Sequence, residues 1–258
     1  MTNTKAMFFD LDGTLLHHGA LTDSAKEALQ IAKEKGILLF VATGRNKREI
    51  EKMPWYPSVK FDGFVTMNGT YSYIGDEVIY KKTMDKDTIR MVVEHITTNP
   101  LPCAFSEAEE MFMTVMDENI KAFQEAHGLP SPPLRDPEYA LSTEIYQLSS
   151  YGEEMKNFIC TLPNCTMTSW APNCYDIVPK GANKWVGMQA ILERFNLKPS
   201  EIAAFGDGNN DLEMLSGAGF AVAMGNGSDE VKALADYITA DVDKDGVLKA
   251  VKHILNNK

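Results

Sequence analysis

The sequence predicts an α/β fold, a doubly wound, Rossmann-like parallel sheet interrupted by an inserted α+β block. Three observations lead there. Short, uninterrupted apolar runs near both ends of the chain alternate with helical patterns, and strands buried on both faces mark parallel sheets covered by helices. This pattern stops near residue 84 and resumes near residue 179. Between those points the composition changes, because most of the prolines and all four cysteines lie there. The expected division is therefore a core of residues 1–83 and 179–258 and an inserted domain of residues 84–178. A chain of 258 residues with 44% hydrophobic and 24% charged side chains has ample material for both.

The first unit reads as strand, helix, strand. Ala6-Met7-Phe8-Phe9 is the first apolar run. Ser24 and Glu27 suggest a capping box, Ala25, Ala28, Leu29 and Ala32 share one helical face, and Gly36 marks the stop. Ile37 to Val41 is the second strand. After residue 180, Trp185, Met188, Leu192 and Phe195 recur at helical spacing, followed by a strand from Glu201 to Phe205 and a helix from Leu212 to Leu215. Phe220 to Met224 reads as a strand and Val231 to Ala235 as a helix opened by Ser228. In the inserted block the pattern gives a helix through Ile89, Val92, Val93 and Ile96, then a strand at Met111 to Met116. A helix from Asn119 to His127, a strand at Ile145 to Ser149 and a helix from Glu153 to Leu162 follow, with strands near Thr166 and at Tyr175 to Val178.

The net charge of −11 argues against nucleic-acid binding, which needs clustered Lys and Arg. An acidic protein that handles an anion must concentrate positive charge locally, and a bound metal is the simplest device. No signal peptide and no membrane-spanning run is expected. The cysteines, Cys103, Cys160, Cys165 and Cys174, lack zinc-ligand spacing, so reduced thiols in a cytoplasmic protein are the expectation. Oligomeric state has no readable signal.

The core strands end repeatedly in small or polar residues: Asp10, Thr43, Asn68, Asp207 and Asn226. In a parallel sheet these ends share one edge, outside which ligands of open α/β sheets bind. Asp10 and Asp12, followed by Gly13-Thr14, are two carboxylates so close that a cation or a shared proton is needed; a plain turn remains the alternative. A hairpin is not expected, because Leu15-Leu16-His17-His18-Gly19 does not alternate. Gly206-Asp207-Gly208-Asn209-Asn210-Asp211 is a second acidic cluster, and Asp211 stands where a dinucleotide loop would need glycine. Hard oxygen donors of this kind suit magnesium. Thr43-Gly44-Arg45 offers a hydroxyl and backbone amides to a phosphate oxygen. Lys184 opens a helix, either solvated or projecting toward the same edge.

Together Asp10-Leu11-Asp12-Gly13-Thr14-Leu15, Thr43-Gly44-Arg45, Lys184 and Gly206-Asp207 through Asn210-Asp211 resemble the four ordered motifs of the haloacid dehalogenase superfamily. Met67-Asn68-Gly69 and Asp245-Gly246-Val247 resemble secondary signatures of its Cof-like sugar-phosphatase branch, whose large α+β cap the insertion matches. The resemblance spans nearly the whole chain and is weakest in the cap. It implies a magnesium-dependent phosphatase in which Asp10 takes the phosphoryl group as an aspartyl-phosphate and Asp12 serves as acid and base. It further implies that Asp10, the Asp12 carbonyl and Asp207 hold magnesium, with Asp211 supporting it through water. Thr43, Gly44, Lys184, Asn210 and Arg45 then hold phosphate oxygens. Small phosphate monoesters, foremost sugar phosphates, are the implied substrates. Nucleotide or cofactor phosphates of flavin or pyridoxal type, a phosphomutase and a non-catalytic sugar-phosphate-binding regulator are the alternatives.

Three other patterns carry less. Asp241-Val242-Asp243-Lys244-Asp245-Gly246 copies half a calcium loop, but Lys252 replaces the twelfth-position Glu. His17-His18 lacks a partner pair for a transition metal. Met111-Phe112-Met113-Thr114-Val115-Met116 suits the interior of the inserted domain.

Overall fold

The chain opens with β1 (Ala6–Phe9), a small hairpin of β2 (Leu16–His17) and β3 (Ala20–Leu21), and then α1 (Asp23–Glu34). β4 (Leu38–Ala42), α2 (Lys47–Glu51) and β5 (Gly63–Thr66) continue the core, and β6 (Tyr71–Ile74) and β7 (Glu77–Lys81) close its first part. The second body contains α3 (Lys86–Thr98), β8 (Cys103–Ser106), β9 (Met111–Met113) and α4 (Glu118–Ala126). It continues with β10 (Gln147–Tyr151), α5 (Glu153–Ile159), β11 (Cys165–Ala171) and β12 (Cys174–Pro179). The chain then returns to the core through α6 (Lys184–Arg194), β13 (Ile202–Gly206), α7 (Leu212–Gly217) and β14 (Phe220–Ala223). α8 (Asp229–Leu234), β15 (Tyr237–Ile238) and α9 (Gly246–Asn256) complete it. This computed structural model describes residues 4–116, 118–126 and 131–256.

The core sheet runs β15-β14-β13-β1-β4-β5-β6-β7. Its pairs from β15 to β5 are parallel, and β6 and β7 extend it as an antiparallel edge. β1 is central, with Ala6 level with Ile202 on one side and Leu38 on the other. Strand alternation sends Met7, Phe9, Val41 and Phe205 to one face, under α1 and α9. Phe8, Phe40, Ala42 and Ala204 go to the other, under α6 and α7. The Phe8–Phe40 and Phe9–Phe205 rings stack at 4.7 and 4.5 Å. Each fully buried Phe contributes about 1.5–3 kcal/mol, so this double layer anchors the strand that carries Asp10. The second body is an antiparallel sheet, β11-β12-β10-β8-β9, packed on α3 and α5 through Ile89, Val93, Phe105, Leu148, Met155 and Ile177.

Several local expectations change. α1 is capped by Thr22, whose hydroxyl accepts the Ala25 N–H at 3.1 Å, and Ser24 lies inside the helix. The unexpected hairpin β2–β3 forms because its two turn residues, His18 and Gly19, have φ of 50° and 75°, as a tight type I′ turn requires. The Met111–Met116 strand stops at Met113, where the backbone turns to pair with the segment after Ser131. β8 and the β6–β7 edge had no counterpart in the sequence reading. His127, the expected end of the Asn119 helix, lies outside the described residues.

Candidate active site

The parallel strands β14, β13, β1, β4 and β5 lie side by side and run within one to three residues into Asn226, Asp207, Asp10, Thr43 and Asn68, so five separated segments meet at one edge. Asp10 is buried there, its N–H donating to the Phe205 carbonyl at 3.0 Å. Lys184 comes from the start of α6, whose N-cap Asn183 accepts the Val186 N–H. Its side chain is 0% exposed, and Nζ donates to Asp10 Oδ1 and to Asp211 Oδ1, both at 2.6 Å. Gly69, at φ 89°, makes this placement possible: a Cβ there would overlap the Asn183 carbonyl oxygen. The other Asp211 oxygen accepts the N–H groups of Asp207 and Gly208, each at 2.9 Å. Both Asp211 oxygens are therefore engaged, and this residue orients Lys184 and the Asp207 loop.

Asp207 faces Asp10 across the strand ends. Thr14 Oγ1 donates to its Oδ1 at 3.1 Å, and Asn226 Nδ2 donates to its Oδ2 at 3.2 Å and to the Gly13 carbonyl at 2.9 Å. Gly13, at φ 83°, sits so close that a Cβ would overlap the Asp207 carboxylate. Asp12 lies outside this buried cluster. Arg45 grips it in a fork, Nε to Oδ2 at 2.7 Å and a terminal nitrogen to Oδ1 at 2.8 Å. Thr43 is buried, its hydroxyl accepting the Arg45 N–H at 3.2 Å. The Gly44 carbonyl accepts from Gln147 Nε2 at 3.1 Å, and Asn210 donates to Asn68 Oδ1 at 2.9 Å.

The charges are unbalanced. Burial, only partly offset by Lys184 and reinforced by Asp211, pushes the Asp10 carboxyl well above the usual range. Burial and the neighbouring Asp211 push Asp207 up to about 7. Burial pulls against the Lys184 ammonium, but Asp10 and Asp211 outweigh it and hold the ammonium above its ordinary value. One cation thus faces three carboxylates. Asp10, Asp207 and Asp211 present oxygens all within 4.8 Å of one another, the one such cluster of His, Cys, Asp or Glu ligands found among the described residues. An all-oxygen set with surplus negative charge fits a hard divalent cation.

Comparison with known proteins identifies the family. The sequence profile of haloacid dehalogenase-like hydrolases matches residues 7–251. The chain belongs to that family. A solved structure of the HAD subclass IIB sugar phosphatase BT4131 superposes with a TM-score of 0.90 at 36% identity, covering 97% of this chain and 99% of that one. The phosphatase BT1666 from Bacteroides thetaiotaomicron superposes at a TM-score of 0.84 and 31% identity, covering 97% and 94%. The 5-amino-6-(5-phospho-D-ribitylamino)uracil phosphatase YcsE of Bacillus subtilis (strain 168) is 26% identical over 255 residues, 96% of this chain and 95% of its own. As a family member the chain is a phosphatase of the haloacid dehalogenase type, with the Cof-like architecture that its motifs resemble.

The second body closes over the strand ends. Lys47 pairs with Glu109 at 3.1 Å, Lys81 with Glu144 at 3.0 Å, and Arg48 with Glu110. Tyr146 packs edge-on against Tyr71 at 5.3 Å. Nearer the site, Asn68 Nδ2 donates to Gln147 Oε1 at 2.9 Å and to Asp176 Oδ2 at 3.0 Å, and Ser149 donates to Asp176 Oδ1 at 2.7 Å. Burial, eased by bonds from Ser149 and Asn68, pushes Asp176 up to about 7. The sequence marks the segments Glu144 to Ser149 and Trp170 to Tyr175 as able to face the core, but ordinary sheet patterning does not single out Gln147 or Ser149, and Asp176 lies one residue beyond. Met67 and Asn68, at φ 49° and 52°, hold a left-handed backbone that sequence does not announce outside glycine.

The remaining candidates fall away. The His17 and His18 rings lie 4.1 Å apart at the hairpin turn and belong to no ligand cluster among the described residues. Asp241 is paired with Lys244, and Asp245 ends a short helical turn in the left-handed region. Met113 packs with Ala104 and Ile120 inside the second body. The four cysteines are unpaired, and no described helix is long and apolar enough to cross a membrane.

Proposed function

We propose that this phosphatase hydrolyses small phosphate monoesters, foremost sugar phosphates, with magnesium and through an aspartyl-phosphate on Asp10. The observation that carries the proposal is the buried Asp10–Lys184–Asp211 chain beside Asp207, at the edge of the core sheet and beneath the second body. Lys184 fixes one Asp10 oxygen, leaving the other to attack phosphorus. Two ammonium protons of Lys184 are committed, and the third is the donor for a phosphate oxygen. The Thr43 hydroxyl and the Gly44 amide hold further oxygens, with Asn210 beside them. Asp12 protonates the departing alkoxide and then takes the proton of the attacking water. To do so it must release one arm of the Arg45 fork, so Arg45 orients Asp12 until the ester arrives. Magnesium, held by Asp10, Asp207 and the Asp12 carbonyl, supplies the positive charge that this acidic site lacks.

Residues 84–178 serve as the cap on a core of residues 1–83 and 179–258, excluding water and choosing the leaving group. We take the enzyme as cytoplasmic, and its net charge of −11 supports a small-molecule partner over nucleic acid. Similarity to YcsE favours a second reading, a phosphatase for a phosphoribitylamino-pyrimidine, whose leaving group also carries a polyol. The test is phosphate release from sugar phosphates, nucleotides and cofactor phosphates, with and without magnesium. Magnesium-dependent release from polyol monoesters is expected. Tight binding without release from any ester would replace the enzyme with a sugar-phosphate-binding regulator.

A further inference from the structure

We propose that Asp176 reads the leaving group, accepting hydrogen bonds from the hydroxyls of an uncharged polyol and turning away leaving groups that carry a second anion. The proposal rests on the phosphatase reading above and narrows its substrate class.

Asp176 lies on β12 in the cap and is only 8% exposed, yet it bears a carboxylate. Its partners are all neutral: Ser149 on one oxygen, Asn68 on the other, and a bond from Trp170. No cation is prominent among the groups that bear on it, and Glu49 adds repulsion. A buried carboxylate without a counter-charge is costly, and an amide could keep the links to Asn68 and Ser149 by accepting from the one and donating to the other. Mere closure therefore does not account for the charge.

Position supplies the reason. A Cβ placed on Gly44 would lie 3.1 Å from Asp176 Oδ2 and 3.2 Å from Asn68 Nδ2, so the carboxylate sits directly over the Thr43-Gly44-Arg45 loop. Arg45 in turn holds Asp12, the group that faces the departing oxygen. A monoester held at Asp10 thus extends its leaving group from Asp12 toward Asp176. There it meets an acceptor-only carboxylate beside the amides of Asn68, Gln147 and Asn210, which bond one another and the Gly44 carbonyl. Hydroxyls can donate to Asp176 and accept from these amides, replacing each bond that they break. An apolar leaving group gives Asp176 no further donor, and a second phosphate or carboxylate is repelled in a site already rich in acid.

The experiment measures kcat/KM of the full chain with magnesium on a hexose 6-phosphate, a pentitol phosphate, para-nitrophenyl phosphate and a phosphorylated sugar acid. Asp176→Asn keeps the shape and removes the charge. It is expected to lower the two polyol esters about tenfold or more while para-nitrophenyl phosphate changes by less than about threefold, the scale of one buried charged hydrogen bond. The handicap of the sugar acid should shrink at the same time. Ser149→Ala, which removes the bond that positions one Asp176 oxygen without removing charge, should lower the polyol esters by less. Thermal melting of both variants separates these effects from unfolding. A uniform loss on all four esters, or no change on any, overturns the proposal while leaving the phosphatase standing. A wild-type enzyme that hydrolyses none of them overturns both.

Discussion

Replacing Lys184 with Met removes the cation at the centre of the site while keeping a side chain of similar length. The ammonium makes two bonds of 2.6 Å, to Asp10 and Asp211, and all three groups are buried. Hydrogen bonds to charged groups contribute about 1.5–3 kcal/mol each, so about 3–6 kcal/mol is at stake before relief is counted. Relief comes from no longer desolvating the ammonium, and Asp211 keeps two backbone N–H donors. Breaking a buried pair by removing one partner costs about 3–5 kcal/mol, and we expect a loss of about 4 kcal/mol. Guanidinium unfolding followed by tryptophan fluorescence, in buffer with chelator at pH 7.5, measures it. The loss should shrink as pH falls, because removing Lys184 raises the already elevated Asp10 carboxyl further, so the variant takes up its proton at a higher pH than the wild type. A loss below about 1 kcal/mol at pH 7.5, or one independent of pH, would refute this account of the site's electrostatics.

Other outcomes follow from the same geometry. Asp176→Asn should gain stability relative to wild type as pH rises. Its folded pKa of about 7 lies above the ordinary 3.8, so the wild type's contribution from this group is full below about pH 4 and lost through pH 7. At about 1.4 kcal/mol per pH unit the gain is capped at about 4 kcal/mol, and equal melting shifts at pH 4.5 and pH 8 would contradict it. Gly13→Ala should lower kcat/KM by about a hundredfold, because the new Cβ displaces the Asp207 carboxylate; unchanged kinetics would show that the 13–207 approach does not matter.

How much of this was legible in the sequence depended on range. β1, β4, β13 and β14 were readable because each is a short apolar run, and Asp10, Thr43, Asp207 and Asn226 stood out at their ends. Their meeting at one edge follows from parallel pairing alone. Lys184 was ambiguous, since nothing local distinguishes a 0% exposed lysine from a solvated one until Gly69 lets α6 approach. The Asp12–Arg45 fork joins residues 33 apart, and the contact of Asn68 with Asp176 spans 108 positions. The first pair exists only once β1 and β4 lie side by side, and the second only once the two bodies meet. The β2–β3 hairpin escaped because four residues are too few to show alternation, and its signal lay in the turn.

The central claim is that Asp10 takes the phosphoryl group. A single turnover with para-nitrophenyl phosphate, whose leaving group departs without a proton, quenched in acid and mapped by mass spectrometry, tests it directly, with Asp12→Asn used to slow breakdown of the intermediate. The account predicts phosphate on the peptide carrying Asp10, and none in Asp10→Asn, which should fold normally and release no phosphate. Full single-turnover phosphate release without a phosphorylated peptide, or with the label on another residue, would contradict it.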